Sequence, residues 1–134
     1  MLLIPLFGVD NYVWQVFAIA KDRDDCELLD FIESLDVKGK KAWAAIIAKL
    51  QATAKTEEGP TLLGNSFSHE LGSKKYKIYR FSHGSLRVSW FYGSGNKVII
   101  CAHGYMKKAQ KTSRRDIETA ETYYETYRQA EGRT

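Results

Sequence analysis

Arginine, lysine, histidine and tyrosine are concentrated in one part of this chain, and together they suit phosphate chemistry. Arg80, Arg87, His103, Lys107, Lys108, Gln110 and Lys111 fall within 32 residues of each other in sequence, with Tyr79, Trp90, Phe91, Tyr92 and Tyr105 among them. An arginine fork meets two phosphate oxygens at once and stays ionised. A lysine crowded by other cations is pushed towards a lower pKa and can move a proton. Aromatic rings among positive charges can hold an unstacked base. In RNA the ribose 2′-OH is an internal nucleophile. A protein need only position it, withdraw its proton and neutralise the developing phosphorane.

Charge distribution points the same way. The net charge is +4 in 134 residues. Residues 1–68 carry 7 Lys/Arg against 10 Asp/Glu, residues 69–115 carry 11 against 1, and residues 116–134 carry 2 against 5. A block that basic predicts a polyanionic partner, nucleic acid first. Lys74, Lys75 and Lys77 read as its general electrostatic surface. The near absence of carboxylates in the block argues against a two-metal nuclease. No P-loop, GxGxxG, GxSxG or HExxH occurs, and His69, His83 and His103 lack metal-ligand spacing, so neither cofactor nor metal is expected. Cys26 and Cys101 form no CxxC, which fits a reducing cytoplasm, and Cys101 reads as core. The apolar start, Met1–Phe7, is too short for a signal peptide or a membrane span. Residues 1–11 are expected to be a tail outside the fold.

These side chains must be carried by regular elements. Tyr12–Ala20 is β-branched and aromatic and reads as a strand. Leu28, Phe31, Ile32 and Leu35 recur at helical spacing after Asp24 or Asp25 as cap, and Lys38-Gly39 ends that helix. Trp43, Ile46, Ile47, Leu50 and Ala54 predict a second helix stopped by Glu58-Gly59-Pro60, giving a helical hairpin. From Lys74 the period becomes 2. Lys74–Ser82, Leu86–Tyr92 and Lys97–His103 predict an antiparallel meander with turns at His83-Gly84-Ser85 and Gly93-Ser94-Gly95-Asn96. Leu86, Val88, Trp90 and Tyr92 share one face; Arg87, Ser89 and Phe91 share the other. Trp90 is more readily core than stacking platform. Ser113-Arg114-Arg115-Asp116 has the form of a capping box, opening a helix with Ile117, Ala120, Tyr124 and Tyr127 on one stripe. The expectation is one α+β domain over residues 1–134, a small antiparallel sheet ordered β-α-α-β-β-β-α, with the hairpin on one face and a C-terminal helix.

Three stretches carry a family resemblance. Leu86-Arg87-Val88-Ser89-Trp90-Phe91-Tyr92, then His103-Gly104-Tyr105-Met106-Lys107-Lys108-Ala109-Gln110-Lys111-Thr112, then Ile117-Glu118-Thr119-Ala120 resemble the phage-derived RelE/HigB-like toxins. Leu29–Leu35 and Leu71-Gly72 extend the similarity upstream, so that it covers roughly residues 12–130. The His-Gly-aromatic-x-Lys-Lys-x-Gln-Lys-Thr string is its specific part.

The resemblance implies the toxin of a type II toxin–antitoxin pair, a cytoplasmic endoribonuclease that cleaves mRNA in the ribosomal A site without metal. Its implied partners are mRNA, the ribosome and an antitoxin, often a helix-turn-helix protein, with no membrane. Arg87 aligns with a catalytic arginine. The family's other arginine falls on Tyr79 without a gap and on Arg80 with a one-residue slip. On this reading Arg80 and Arg87 stabilise the transition state, Lys107, Lys108 and Lys111 grip RNA backbone, and His103 or one of those lysines carries the proton. The alternative is a RelE-fold module that binds nucleic acid or an antitoxin without catalysis.

Overall fold

The computed structural model describes residues 1–8 and 10–131. It is an α+β fold in which six strands form one sheet: β1 (Leu2–Pro5), β2 (Gln15–Ala20), β3 (Ser68–Glu70), β4 (Tyr79–His83), β5 (Leu86–Tyr92) and β6 (Val98–Met106). The helices are α1 (Glu27–Glu33), α2 (Val37–Ala54) and α3 (Arg114–Ala130), with a 3₁₀ turn at Gly59–Leu62. Sheet order is β1-β2-β6-β5-β4-β3. The β4–β5 connection is a two-residue hairpin with Gly84 at φ 57°, the sign that the first position of a type II′ turn requires.

Alternation along β5 decides the layers. Val88 and Trp90, with Phe81 and Cys101 from the neighbouring strands, pack with Leu28, Ile46 and Leu50 of the α1–α2 hairpin. On the other face Phe91, Ile100 and Ala102 pack with Tyr127, and Tyr105 with Ala120, so α3 covers the side opposite the hairpin. Ser113 caps α3 as its spacing predicts, its Oγ accepting from the Asp116 N–H and donating to Asp116 Oδ2. The C-terminal half of α3 is pinned by Arg128, which donates to Ser94 Oγ and the Tyr92 carbonyl.

The sheet is larger and less uniform than expected. Leu2–Pro5 is no tail: it pairs antiparallel with β2 and forms an edge strand, while Val9 lies outside the described residues. Three residues, Ser68–Glu70, form the other edge. The pairing of β2 with β6 is parallel, because the α1–α2 hairpin and the β3–β4–β5 meander intervene before the chain returns beside β2. Lys74–Ile78 is not strand. Ser73 Oγ accepts from the Lys75 and Tyr76 N–H groups and turns the chain, and pairing resumes at Tyr79. Neither Asp24 nor Asp25 caps α1, whose cap residue is Cys26 with no side-chain capping hydrogen bond, and Lys38-Gly39 sits in the first turn of α2, capped by Asp36.

A basic cavity at the end of β6

Parallel pairing with β2 ends at Ala18↔Cys101, and β6 continues to Met106. Its free stretch is met by α1 on one side and the start of α3 on the other. Gly104 makes the approach of α1 possible: a Cβ there would stand 2.6 Å from Phe31 Cδ2. Between these elements lies a cavity of about 690 Å³ lined by Arg80, Arg87, His103, Tyr105, Lys107, Lys108 and Lys111, with Glu27, Phe31, Thr112, Arg115 and Asp116.

Register explains the gathering. Arg87 on β5 lies opposite Tyr105 on β6 and Ser82 on β4, and Arg80 lies opposite Ser89. Arg80 therefore shares the α3 side of the sheet with Arg87. Tyr79, one residue earlier, turns to the other side and stacks on Trp90 at 4.7 Å. Arg80 has polar contacts from three of its nitrogens. Nη1 donates to Thr112 Oγ1 at 2.8 Å, while Nε and Nη2 approach the His69 ring nitrogens at 3.2 and 3.1 Å. A neutral imidazole has one acceptor nitrogen, so one of the last two is a hydrogen bond at a time. Burial first, then the charges of Arg80 and Arg87, hold His69 below the usual imidazole range.

Arg87 is 7% exposed. Its Nη1 donates to the carbonyls of Gly84 and Leu86 at 2.8 and 3.0 Å, while Nε is buried without a partner. Desolvation, then the neighbouring Arg80, lowers its pKa from the ordinary guanidinium value. His103 is 3% exposed, with Nδ1 2.6 Å from Ser89 Oγ. Asp116 Oδ1 lies 3.4 Å from its Nε2, close enough for charge attraction but without hydrogen-bond geometry, so Nε2 is also unpartnered. Burial lowers the His103 pKa, with Asp116 opposing. Among the described residues these two nitrogens are the buried side-chain polar atoms that lack a partner, and both belong to residues lining this cavity. An unsatisfied buried donor costs about 1–3 kcal/mol, so a ligand oxygen supplied here is strongly favoured.

Other sequence candidates sit elsewhere. Lys74, Lys75 and Lys77 are exposed on the β3–β4 connection, away from the cavity, and Lys77 pairs with Glu70 at 3.2 Å. Gln110 is exposed and outside the lining. Trp90 and Phe91 are core, as is Cys101, whose thiol burial pushes far up. Tyr105 is buried too: its ring stacks on His103 and packs with Leu71 and Ile78, and its hydroxyl meets Thr112 Oγ1 at 3.1 Å. It offers the cavity a hydroxyl rather than a stacking face. Sequence reasoning missed His69, Ser89 and Asp116 as site residues. Asp116 was visible only as a helix cap, and the other two acquire their contacts through strand register. Among the described residues, no group of three or more His, Cys, Asp and Glu is placed to hold a metal ion.

The cavity thus brings Arg80 and Arg87 together with three lysines on an α+β fold, an arrangement whose chemistry suits an anion. The chain belongs to the phage-derived Gp49-like family (DUF891), whose model matches residues 30–125, and that family is associated with toxins of toxin–antitoxin systems. No curated protein matches the chain. Among the described residues no helix is long and apolar enough to cross a membrane.

Proposed function

We propose that this protein is the RelE/HigB-like toxin of a type II toxin–antitoxin pair, a cytoplasmic endoribonuclease that cleaves mRNA in the ribosomal A site without metal. The observation that carries this reading is the pair of buried nitrogens without a hydrogen bond, Arg87 Nε and His103 Nε2, in a cavity also lined by Lys107, Lys108 and Lys111. A scissile phosphate seated there receives hydrogen bonds from both arginines. As the 2′-oxygen attacks phosphorus, negative charge grows on the non-bridging oxygens, and fixed cations in a partly dry cavity stabilise it most at that moment. The 2′-OH proton passes to a base, and the 5′-oxygen leaves with a proton. Glu27 and Asp116 border the cavity and the rim lysines reach it, so acid and base groups surround the phosphate position. An antitoxin that covers this basic rim would block the site, which fits the family's association with such partners.

This chemistry leaves a 2′,3′-cyclic phosphate or 3′-phosphate and a 5′-hydroxyl. The test is end analysis of mRNA cut by the purified protein on programmed ribosomes, beside an mRNA with a 2′-deoxy sugar at the cut. The reading expects 5′-hydroxyl ends and an uncut 2′-deoxy substrate. A 5′-phosphate, or cleavage of the 2′-deoxy substrate, would overturn it.

One contact favours a second reading, a binding module without catalysis. Arg87 Nη1 is fully engaged with the Gly84–Leu86 turn, a structural task that needs no substrate. On that reading ribosomes bind the protein and mRNA stays intact.

A further inference from the structure

We infer that Ser89 is a positioning residue: it fixes His103 as the tautomer with its proton on Nε2, so that the ring faces the cavity as a hydrogen-bond donor. The cause is a break in the β5–β6 register. Val88 lies opposite Gly104 and Trp90 opposite Cys101, so Ser89 faces two residues, Ala102 and His103. Such a bulge re-aims a side chain, here turning the His103 ring back over Ser89. Ser89 is fully buried and meets His103 three times. Its Oγ accepts from the His103 N–H at 3.2 Å, lies 2.6 Å from Nδ1 and stands 3.3 Å from the His103 carbonyl.

A hydroxyl has one proton to give. It can go to Nδ1 or to the His103 carbonyl; 2.6 Å is short for an N–H donor and fits a hydroxyl donor, whereas 3.3 Å is long for one, so Ser89 donates to Nδ1. The opposite tautomer would aim a bare Nε2 lone pair at Asp116 Oδ1, 3.4 Å away, placing two acceptors face to face. Both ends of the ring therefore favour Nε2–H. That N–H is buried beside Asp116 Oδ1 but makes no hydrogen bond in this structure, so a ligand oxygen in the cavity can accept it. Burial favours the neutral ring, with Asp116 and then Glu27 opposing. A neutral Nε2–H donates a hydrogen bond without giving up its proton. His103 then stabilises charge on the phosphate, and the proton of the 2′-OH goes to another group.

What the ring acts upon rests on the ribonuclease reading; the tautomer rests on geometry alone. The experiment is ¹⁵N–¹H correlation of the imidazole nitrogens in the full chain, with the three histidines assigned by substitution. Wild type is expected to show His103 with a pyrrole-type Nε2 and a pyridine-type Nδ1. S89A, its fold checked by thermal unfolding, is expected to mix the tautomers and to lose about tenfold or more in mRNA cleavage with ribosome binding unchanged. Threonine at the same position, in S89T, is expected to restore the wild-type pattern. A pyrrole-type Nδ1 in wild type would overturn the inference without any variant, as would an unchanged tautomer in folded S89A. If the tautomer responds while wild type cuts no RNA, the ribonuclease reading falls and the positioning role stands.

Discussion

Among the described residues Arg87 is a buried cation with no salt bridge, beside a second arginine that lowers its pKa further. A guanidinium in that position is incomplete without an anion, and the folded state should gain from one. Inorganic phosphate is therefore expected to raise the Tm of the wild type, the stabilisation growing with the logarithm of phosphate concentration above its Kd. R87A should remove most of that rise, measured by thermal unfolding across a phosphate series at fixed ionic strength. An equal rise in both proteins would contradict the account. The histidines make a second prediction at this scale. Both His69 and His103 have pKa values below the ordinary imidazole value, so the unfolded chain binds protons more readily than the folded one. Stability is then fully present above pH 6.5 or so and falls as pH drops below that value, levelling off under the folded pKa values. Tm is expected to fall between pH 7.5 and 5.5, and to fall less in H69N. Arg80, Arg87 and His103 were legible in sequence because residue type and local charge density announce them. Ser89, His69 and Asp116 were not. A serine alternating in a strand and a cap aspartate look ordinary until register places them against a buried imidazole.

The elements around the cavity depend on close approach. Gly104 lets α1 touch β6, and a methyl there would meet the Phe31 ring at 2.6–2.9 Å. G104A is expected to destabilise the fold by about 1–3 kcal/mol, read from denaturant midpoints, because the ring must shift within a packed layer. A change under a few tenths would show that α1 moves freely. At this scale β5, β6 and α3 were legible, since alternation, glycine turns and a capping box are local signals. The edge strands β1 and β3 were not. Four and three residues carry too little pattern, and their pairing comes from the strands they join. The parallel β2–β6 pairing was hidden for a related reason: it joins segments about 80 residues apart, and no local spacing encodes it.

For the molecule as a whole, the basic block proves to be two surfaces rather than one. Arg80, Arg87, Lys107, Lys108 and Lys111 converge on the cavity, whereas Lys74, Lys75 and Lys77 ride on a connection fastened to α3 through Tyr76–Glu125 and Ser73–Glu121. Nucleic-acid affinity should therefore have a steep salt dependence to which both groups contribute. K107A/K108A/K111A is expected to weaken RNA binding and flatten its salt slope while abolishing cleavage. K74A/K75A/K77A should change affinity alone. The charge asymmetry of residues 69–115 is visible in the sequence, but only the fold separates the cations that line the cavity from those on the β3–β4 connection.

The central claim is best tested by inducible expression of the wild type beside R87A in a bacterial host, with growth followed and mRNA 5′ ends mapped. The account predicts growth arrest and new 5′ ends inside reading frames for the wild type, and neither for soluble R87A. Unimpaired growth and unchanged 5′ ends in cells containing folded wild-type protein would contradict it.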